Sequence, residues 1–509
     1  MKRIGLVIAI VMVAVLSLTM FAPSSAQDNV KTGGTLRAAF QNEWVSLDPH
    51  TTSSYSSYQI LNNVLQGMTT FDDNEGLIPV LAESWEQSED GLTWTFHLKK
   101  GIKFSNGREM TADDVKWSWE RLIDPATGAG NAARVGSPDT IIEAVDNYTV
   151  KVTHSEPFGI FPMSVGFDMS ASVMAPESVG EDGTVQIPIG TGPFMITEVE
   201  GTTRLRLEKN PYYWQEGLPY LDAIEITPIP DDTVREVALR GGEVDWVLAI
   251  APQSYDALVA DEDIVVEAVP QLSYDYIGLN LTRKPFDDVR VRQAIAKSLD
   301  RQQLCDVGYF GLCQPIQGPT GKGSPWYFDY NPYDQDIAGA KALLADAGYP
   351  DGFDMELMPT TQYGETERAA TVLQQQLAQI GINASINSLE WSAWLEKEGN
   401  FNYDAYICNW NSLIDADQYY YLQHHTGLVF NFTGYSNPEF DKLVEEGRSM
   451  TDFDKRYEIY KQANKILVDD APYVYMYNKL EIRAYRNYVK GFTVRPDQFN
   501  NFWTVWLDQ

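Results

Sequence analysis

The alternation of helix-like and strand-like segments over residues 287–480 restricts the fold of this chain more than any other feature. Segments with apolar residues at every third or fourth position alternate there with short β-like runs. This alternation predicts an α/β fold with mixed rather than purely parallel sheets. Across the chain, strands are predicted at residues 205–207, 223–227, 274–281, 384–386 and 403–408. A further half-buried strand is predicted at 92–98, where apolar and polar residues alternate.

Capping residues mark the ends of the predicted helices. Thr111 and Asp114 form a capping-box pattern, which predicts a helix that ends before Pro125. Further helices are predicted from residue 287, at 336–347, at 366–380, from residue 437 and at 452–468. Gly348 and Gly381 are the predicted stops of two of them, because glycine readily takes the left-handed conformation that ends a helix.

Size and charge exclude several classes of protein. The chain has 509 residues, with 71 acidic and 38 basic side chains and a net charge of −33. Proteins that bind nucleic acid place Lys and Arg against phosphates, so this balance predicts no nucleic-acid partner. Aromatic residues make up 12% of the chain, which indicates a globular protein. At roughly 100–200 residues per domain, we expect more than one core.

The N-terminal segment indicates export. Lys2 and Arg3 precede an apolar run over residues 4–21, and small residues follow at 24–26. This pattern predicts a signal peptide at 1–26, cleaved after Ala26, and a periplasmic or extracytoplasmic location. The alternative is an uncleaved anchor helix, because the apolar run is long for a signal peptide. No cysteine lies near the cleavage site, so we expect no lipoprotein anchor.

The three cysteines favour one disulfide. Cys305 and Cys313 flank a turn-like segment and are the predicted bridge in an oxidising compartment. Cys408 is then the remaining thiol, predicted to be buried in a strand. A catalytic cysteine is the weaker alternative, because no histidine stands in a recognisable partner context.

Motifs for common chemistry are missing from the sequence. It has no H-E-x-x-H, C-x-x-C, G-x-S-x-G or P-loop pattern. His424 and His425 are adjacent, so their side chains point apart, and we interpret them as a surface or loop pair rather than a metal site. We therefore predict no catalytic residue, no metal site and no cofactor.

Aromatic and polar residues cluster around the predicted strand at 403–408. Trp391, Trp394 and Trp410 fall within 20 residues, and Asn411, Asp415 and Asp417 follow. Loops at the carboxyl ends of strands are where α/β folds bind ligands. We therefore predict that these six residues contact a ligand. The alternative is that the tryptophans are core residues.

Several segments together resemble the family 5 extracytoplasmic solute-binding proteins, the peptide/nickel-type receptors of ABC importers. The similar segments are residues 46–49, 81–86, 90–107, 111–115, 190–194 and 280–294. They lie in the expected order, and the similarity covers nearly all of the exported chain.

The resemblance implies a two-lobed clamshell with a subdomain inserted in the first lobe. The implied parts are lobe 1 at 27–69, the inserted subdomain at 70–190, more of lobe 1 at 191–274, lobe 2 at 275–480, and a return to lobe 1 at 481–509. It also adds Tyr55, from a polar loop of lobe 1, and Tyr276, near the first hinge crossing, to the predicted ligand contacts.

The resemblance further implies a monomeric receptor without enzymatic activity. It would close around a peptide-like solute and deliver it to a permease driven by an ATPase. Peptide-binding members place an Asp near the position of Leu413 to hold the α-amine; Asp415 could substitute if the loop is shifted. Dipeptide binders place an Arg before the helix at 366, but residues 359–363 contain none, and Arg368 lies later.

The missing anchors disfavour a zwitterionic dipeptide, because a buried charge without a partner is costly. Longer peptides and neutral oligosaccharides held by Trp and Tyr stacking remain open, as do nickel chelates and opines. A secreted hydrolase and a chaperone-like or signalling receptor are the alternatives from other classes.

Overall fold

The computed structural model describes residues 30–52, 54–72, 76–410 and 414–509. The helices are α1 (Tyr55–Leu61), α2 (Ala112–Ile123), α3 (Phe161–Ser164), α4 (Asp232–Gly241), α5 (Tyr255–Val259), α6 (Val289–Ser298), α7 (Arg301–Gly308), α8 (Ile337–Asp346), α9 (Gly364–Ala378), α10 (Trp391–Gly399), α11 (Ala416–Tyr419), α12 (Tyr421–His424), α13 (Pro438–Arg448) and α14 (Phe453–Asp470).

The strands alternate with these helices through most of the chain. They are β1 (Thr35–Phe40), β2 (Thr69–Phe71), β3 (Leu77–Pro79), β4 (Ala82–Gln87), β5 (Thr93–Leu98), β6 (Ile141–Asp146), β7 (Thr149–Thr153), β8 (Phe194–Glu200), β9 (Arg204–Lys209), β10 (Ala223–Pro228), β11 (Trp246–Val247), β12 (Ile264–Pro270), β13 (Tyr274–Leu279), β14 (Cys313–Pro315), β15 (Phe353–Met358), β16 (Ile382–Ile386), β17 (Ala405–Trp410), β18 (Tyr473–Arg486), β19 (Val489–Lys490) and β20 (Trp506–Leu507).

Local sequence explains where several helices begin and end. The capping box of Thr111 and Asp114 opens α2, as predicted. The side chain of Asp288 caps α6 and that of Asp452 caps α14, each accepting a hydrogen bond from a backbone N–H of the first turn. Gly348 and Gly381 follow α8 and α9 with φ angles of 96° and 88°. The predicted helix stops are therefore confirmed.

One large mixed sheet runs through both lobes. Its strand order is β16-β15-β17-β13-β18-β11-β1-β10-β9-β8, and β12 and β14 also pair with β18. Parallel pairs such as β1 with β10 and antiparallel pairs such as β13 with β17 occur together. The predicted α/β class with mixed sheets is confirmed. A separate four-stranded sheet, β4-β5-β7-β6, forms the inserted subdomain.

Each part of the molecule has its own apolar core. The core of lobe 1 is built from residues such as Leu36, Phe194, Trp246 and Phe502. The core of the inserted subdomain runs from Met68 to Ala175 and includes Phe96 and Trp119. Two adjoining cores fill lobe 2; one contains Leu279 and Leu373, and the other is largely aromatic. The domain boundaries given above stay predictions.

Strand β18 joins the two lobes. Its first half pairs with β13 of lobe 2, and its second half, from Leu480 onward, pairs with β12 of lobe 1. At the crossing, the side-chain amide of Asn478 donates to the carbonyl oxygens of Gln271 and Ser273, both at 2.6 Å. The hinge is thus hydrogen-bonded on both crossing segments.

Among the described helices, none combines the length and apolar character needed to cross a lipid bilayer.

Candidate functional site

Two cavities lie between the lobes. The front cavity, of about 360 Å³, is lined by Arg134, Phe158, Met163 and Phe167 on the lobe 1 side and by Trp410, Asp417, Phe430 and Arg448 on the lobe 2 side. The hinge cavity, of about 500 Å³, is lined by residues including Tyr55, Glu481 and Arg483 of lobe 1 and Tyr309 and Tyr363 of lobe 2. Phe167 lines both cavities. Both volumes fall within the roughly 300–1,000 Å³ of small-ligand sites.

Trp410 provides an aromatic wall for the front cavity. It ends strand β17, is half-buried, and meets the ring of Phe430 edge-on at 5.6 Å between centroids. Its strand pairs with β13 of lobe 2, where Tyr274 lies opposite Trp410. The indole is thus held by the sheet and by Phe430, with part of its surface open to the cavity.

Asp415 is committed to a buried ion pair below the front cavity. Its two carboxylate oxygens accept hydrogen bonds from Arg456 at 2.6 and 2.9 Å. It also caps helix α11 by accepting from the backbone N–H of Asp417 at 2.9 Å. Arg456 is itself fixed by the carbonyl oxygen of Gly447 at 3.0 Å. Because both oxygens already accept hydrogen bonds from Arg456, Asp415 is less available to a ligand amine than an open loop carboxylate, and its predicted ligand contact stays a prediction.

Asp417 and Arg448 form a looser pair at the cavity wall. Arg448 Nε lies 3.3 Å from Asp417 Oδ1, and the guanidinium stacks 3.8 Å from the ring centroid of Tyr421. Within the described residues, Asp417 Oδ1 has no hydrogen-bond partner of proper geometry. Burial raises the pKa of Asp417 to about 6, although the charge of Arg448 acts to lower it.

Arg134 enters the same cavity from lobe 1. It donates through Nε to Asp168 Oδ2 at 3.2 Å, and its guanidinium lies 4.1 Å from the ring centroid of Phe167. Asp168 Oδ1 is occupied by the backbone N–H of Ser170 at 2.8 Å. The front cavity therefore contains an arginine from each lobe.

The hinge cavity has a closed network of charged groups. Arg483 donates to Asn500 Oδ1 at 2.9 Å, to the carbonyl oxygen of Gln498 at 3.1 Å, and to Glu481. It also donates to the hydroxyl of Tyr55 at 3.2 Å. This arginine has no large reserve of unused donors.

The comparisons with known proteins identify the family. The family described as bacterial extracellular solute-binding proteins, family 5 Middle, matches residues 76–429. The chain belongs to this family. The predicted family and its receptor role are thereby confirmed.

Relatives of this family 5 protein match it over nearly their whole length. It is 30% identical to the glutathione-binding protein GsiB of Pectobacterium atrosepticum over 477 residues, which cover 91% of this chain and 92% of GsiB. It is similar to the ABC transporter-associated periplasmic binding protein DppA from Helicobacter pylori in complex with the peptide STSA, with a TM-score of 0.80, 27% identity, and coverage of 95% and 100%.

A third relative is the oligopeptide-binding protein AppA from Bacillus subtilis in complex with a nonapeptide. The TM-score is 0.76 at 25% identity, with coverage of 94% of this chain and 100% of AppA. The two-lobed fold that the resemblance implied is confirmed by these matches.

The lobes of this family 5 protein contact each other in front of the cavity. A Cβ added at Gly159 would lie 2.8 Å from the carbonyl oxygen of Met450 in lobe 2, so the two backbones approach very closely. Arg456 Nη1 lies 3.9 Å from Met163 Sδ across the same boundary. Phe71, Leu272 and Ile414 form a small apolar cluster between the lobes. The structure is therefore a closed form.

The predicted site residues separate into three groups. Trp410, Asp415 and Asp417 line the front cavity, and Tyr55 lines the hinge cavity, where its hydroxyl donates to the carbonyl oxygen of Gln498 at 2.9 Å. Asn411 lies outside the described residues.

Tyr276, Trp391 and Trp394 form the third group, which the structure does not bring to either cavity. Tyr276 is buried and stacks on Tyr473 at 4.0 Å between ring centroids. Trp394 is buried, donates to the carbonyl oxygen of Met358 at 3.0 Å, and stacks under Trp391 at 5.1 Å. For Tyr276 and Trp394 the core interpretation replaces the predicted ligand contact, because packing encloses both side chains.

Other predictions from single residues have mixed outcomes. The structure joins Cys305 to Cys313 and leaves Cys408 buried in β17. The interpretation of the two histidines as a surface pair is wrong for His424, which is fully buried beside Tyr473. Burial lowers the pKa of His424 to about 3. In the described part of the chain, no group of three or more His, Cys, Asp or Glu is placed to hold a metal ion.

Sequence reasoning missed Arg134 and Arg448. Each is a single basic residue in an otherwise ordinary segment: Arg134 ends a short 3₁₀ turn, and Arg448 ends α13. Nothing local marks them as cavity residues, because the cavity exists only once the inserted subdomain meets lobe 2.

Proposed function

We propose that this family 5 protein is the extracytoplasmic receptor of an ABC importer and binds a short peptide between its lobes. The observation that supports this proposal is the closed cleft, whose two cavities are walled by both lobes. A ligand held there contacts both lobes at once and stabilises the closed form over the open one. A permease that recognises the closed form then binds the loaded receptor and takes up its ligand.

Cavity size favours short peptides over long ones. DppA is described with a tetrapeptide and AppA with a nonapeptide, and GsiB is named for glutathione. In this protein the interlobe contact at Gly159 closes the front of the cleft, which leaves cavities of about 360 and 500 Å³. These volumes suit a ligand of two to four residues better than an extended nonapeptide.

The remaining parts of the proposal concern the whole protein. We propose that residues 1–26 are removed on export without a lipid anchor, that the receptor acts as a monomer with the domain boundaries given above, and that it returns its ligand chemically unchanged. Mass spectrometry of the exported protein, light scattering, and recovery of the ligand after incubation test these points in turn.

Isothermal titration of the exported protein tests the ligand class. The panel contains glutathione, the tetrapeptide STSA, an unrelated nonapeptide, a neutral tetrasaccharide, and Ni²⁺ with and without a chelator. We expect binding of at least one short peptide and no binding of the tetrasaccharide. Binding of the tetrasaccharide alone would contradict the peptide proposal and support aromatic stacking of a sugar on Trp410. Binding of the nonapeptide alone would show that the cleft opens further than the closed form indicates.

A further inference from the structure

The arginines in and beside the two cavities differ in how many of their donors are already used. A guanidinium has five N–H groups. Arg456 uses all three of its nitrogens, on Asp415 and on the carbonyl oxygen of Gly447. Arg483 likewise donates from all three nitrogens. These two arginines are part of the protein's internal structure.

Arg134 and Arg448 are different. The hydrogen bond of Arg134 to Asp168 uses Nε only, and the ion pair of Arg448 with Asp417 also runs through Nε. Among residues 30–52, 54–72, 76–410 and 414–509, no carboxylate or backbone carbonyl accepts from the terminal nitrogens of either guanidinium. Both guanidiniums are oriented by aromatic rings, Arg134 by Phe167 and Arg448 by Tyr421.

The acidic residues around the same cavity have few unused hydrogen-bond acceptors. Asp415 has both oxygens on Arg456, and Asp168 has one oxygen on Ser170 and one on Arg134. Only Asp417 Oδ1 has no hydrogen bond, and it faces Arg448 at 3.3 Å. The cavity therefore offers many spare donors on cations but few spare acceptors on anions.

We propose that the front cavity is a carboxylate-binding site in which the terminal nitrogens of Arg134 and Arg448 hold an anionic group of the ligand. The planar fork of a guanidinium matches a carboxylate in bidentate geometry. The ligand class is thus a short peptide, recognised through a carboxylate rather than through its α-amine. This inference rests on the proposed function, because it names the part of the peptide that the receptor recognises.

The site also couples ligand charge to closure. Arg134 belongs to the lobe 1 side and Arg448 to lobe 2, so a carboxylate between them bonds both lobes at once. The net charge of −33 repels anions at long range, but that repulsion is screened over about 8 Å at physiological ionic strength. Inside the enclosed cavity, the direct hydrogen bonds of the two arginines outweigh it.

The test compares chemical forms of one probe. STSA is titrated as the free peptide, as its C-terminal amide and as its N-acetyl derivative. For the native protein, we expect amidation to weaken binding at least tenfold and N-acetylation to weaken it less than threefold. A greater loss on N-acetylation than on amidation would overturn the inference and restore an amine anchor.

Variants separate ligand binding from a structural role. Each of two variants, Arg448→Gln and Arg134→Gln, should lower the affinity for the free peptide at least tenfold. The affinity for the amide should stay within threefold of its value in the native protein. Arg448→Lys keeps the charge but loses the fork, and we expect an intermediate affinity. Arg283→Gln is the matched control, because Arg283 is exposed and pairs with Asp404 away from both cavities. Equal losses for the free peptide and the amide in the Gln variants would assign the arginines to lobe closure alone.

A second panel distinguishes failure of the inference from failure of the proposed function. It contains glutarate and N-acetylglutamate with their amides. Binding of these acids, sensitive to Arg448→Gln, with no peptide bound would overturn the peptide function and keep the carboxylate site. Peptide binding whose affinity does not depend on the carboxylate would overturn the carboxylate site but leave the peptide function standing. No binding of any carboxylate in either panel would also overturn it.

Discussion

The two cavities of the cleft use arginine in opposite ways. In the hinge cavity, Arg483 is bonded to Glu481, Asn500, Gln498 and Tyr55 and has little left for a ligand. In the front cavity, Arg448 is half-buried, yet among the described residues no carboxylate or backbone carbonyl accepts a hydrogen bond from its terminal nitrogens. The difference teaches that the number of bonds already made decides whether a buried charge serves the fold or the ligand.

The largest expected effect follows from breaking the saturated pair below the front cavity. Arg456→Met leaves the buried carboxylate of Asp415 without its partner and should lower the free energy of unfolding by about 3–5 kcal/mol. The double variant Arg456→Met with Asp415→Asn should recover most of the loss, since Asn keeps the cap of α11 without the charge. Urea denaturation measures both.

Arg448→Gln is the counterpart in that measurement. It removes the partner of a buried carboxylate, but Arg448 makes only one ion pair with Asp417, at 3.3 Å, and the raised pKa of Asp417, about 6, lets that group take up a proton instead. We therefore expect a smaller loss than for Arg456→Met. If Arg448→Gln were as destabilising as Arg456→Met, the division into structural and ligand-binding arginines would fail.

The next effect concerns the aromatic wall. Trp410→Ala should weaken binding of a short peptide by about 1–3 kcal/mol, because the ligand loses the apolar surface it covers. Trp391→Ala is the control, since Trp391 packs on Trp394 and Tyr363 rather than lining a cavity. Calorimetric titration of both variants decides the point. Equal losses would mean that Trp391 also reaches the ligand.

The smallest effect is a pH dependence of affinity. The pKa of Asp417, about 6, lies above its usual 3.8, so the carboxyl gains a proton as the pH falls from 7.5 to 5. Its negative charge then no longer offsets Arg448, whereas a peptide carboxylate with a pKa of about 3.3–3.7 stays ionised. N-acetyl STSA should therefore bind about three- to tenfold more tightly at pH 5 than at pH 7.5.

Asp417→Asn should remove that pH dependence. Asp415 and Arg456, the other charged groups near Asp417, are hydrogen-bonded to each other through both carboxylate oxygens. An unchanged pH dependence in Asp417→Asn would assign the titration to another group and weaken the contrast between the two cavities.

The sequence predicts much of the fold because its signals are local. The cap at Thr111, the glycine at position 381 and the alternation over 92–98 each act within a few residues, and the structure follows all three. The order of the motifs predicts the remaining topology, because it identifies a family whose members share one fold.

The site is harder to predict because its contacts are distant in sequence. Asp415 is paired with a residue 41 positions away, so its sequence neighbourhood indicates an open loop carboxylate where the structure has a closed ion pair. Tyr276 is near the hinge along the chain, but its strand turns the ring into the core of lobe 2. Trp410 was predictable, because the end of a strand is a place that the fold itself exposes.

Strand β18 has a mechanical consequence. Its 14 residues pass through both lobes without a break, and it pairs with β13 on one side of the crossing and with β12 on the other. Neighbouring strands in a sheet are already rotated by roughly 20–25° with a fixed hand. Opening the clamshell therefore twists a continuous ribbon instead of turning a loose joint. We therefore expect the resistance to opening at the hinge to come from this strand itself rather than from the solute that the cleft has released.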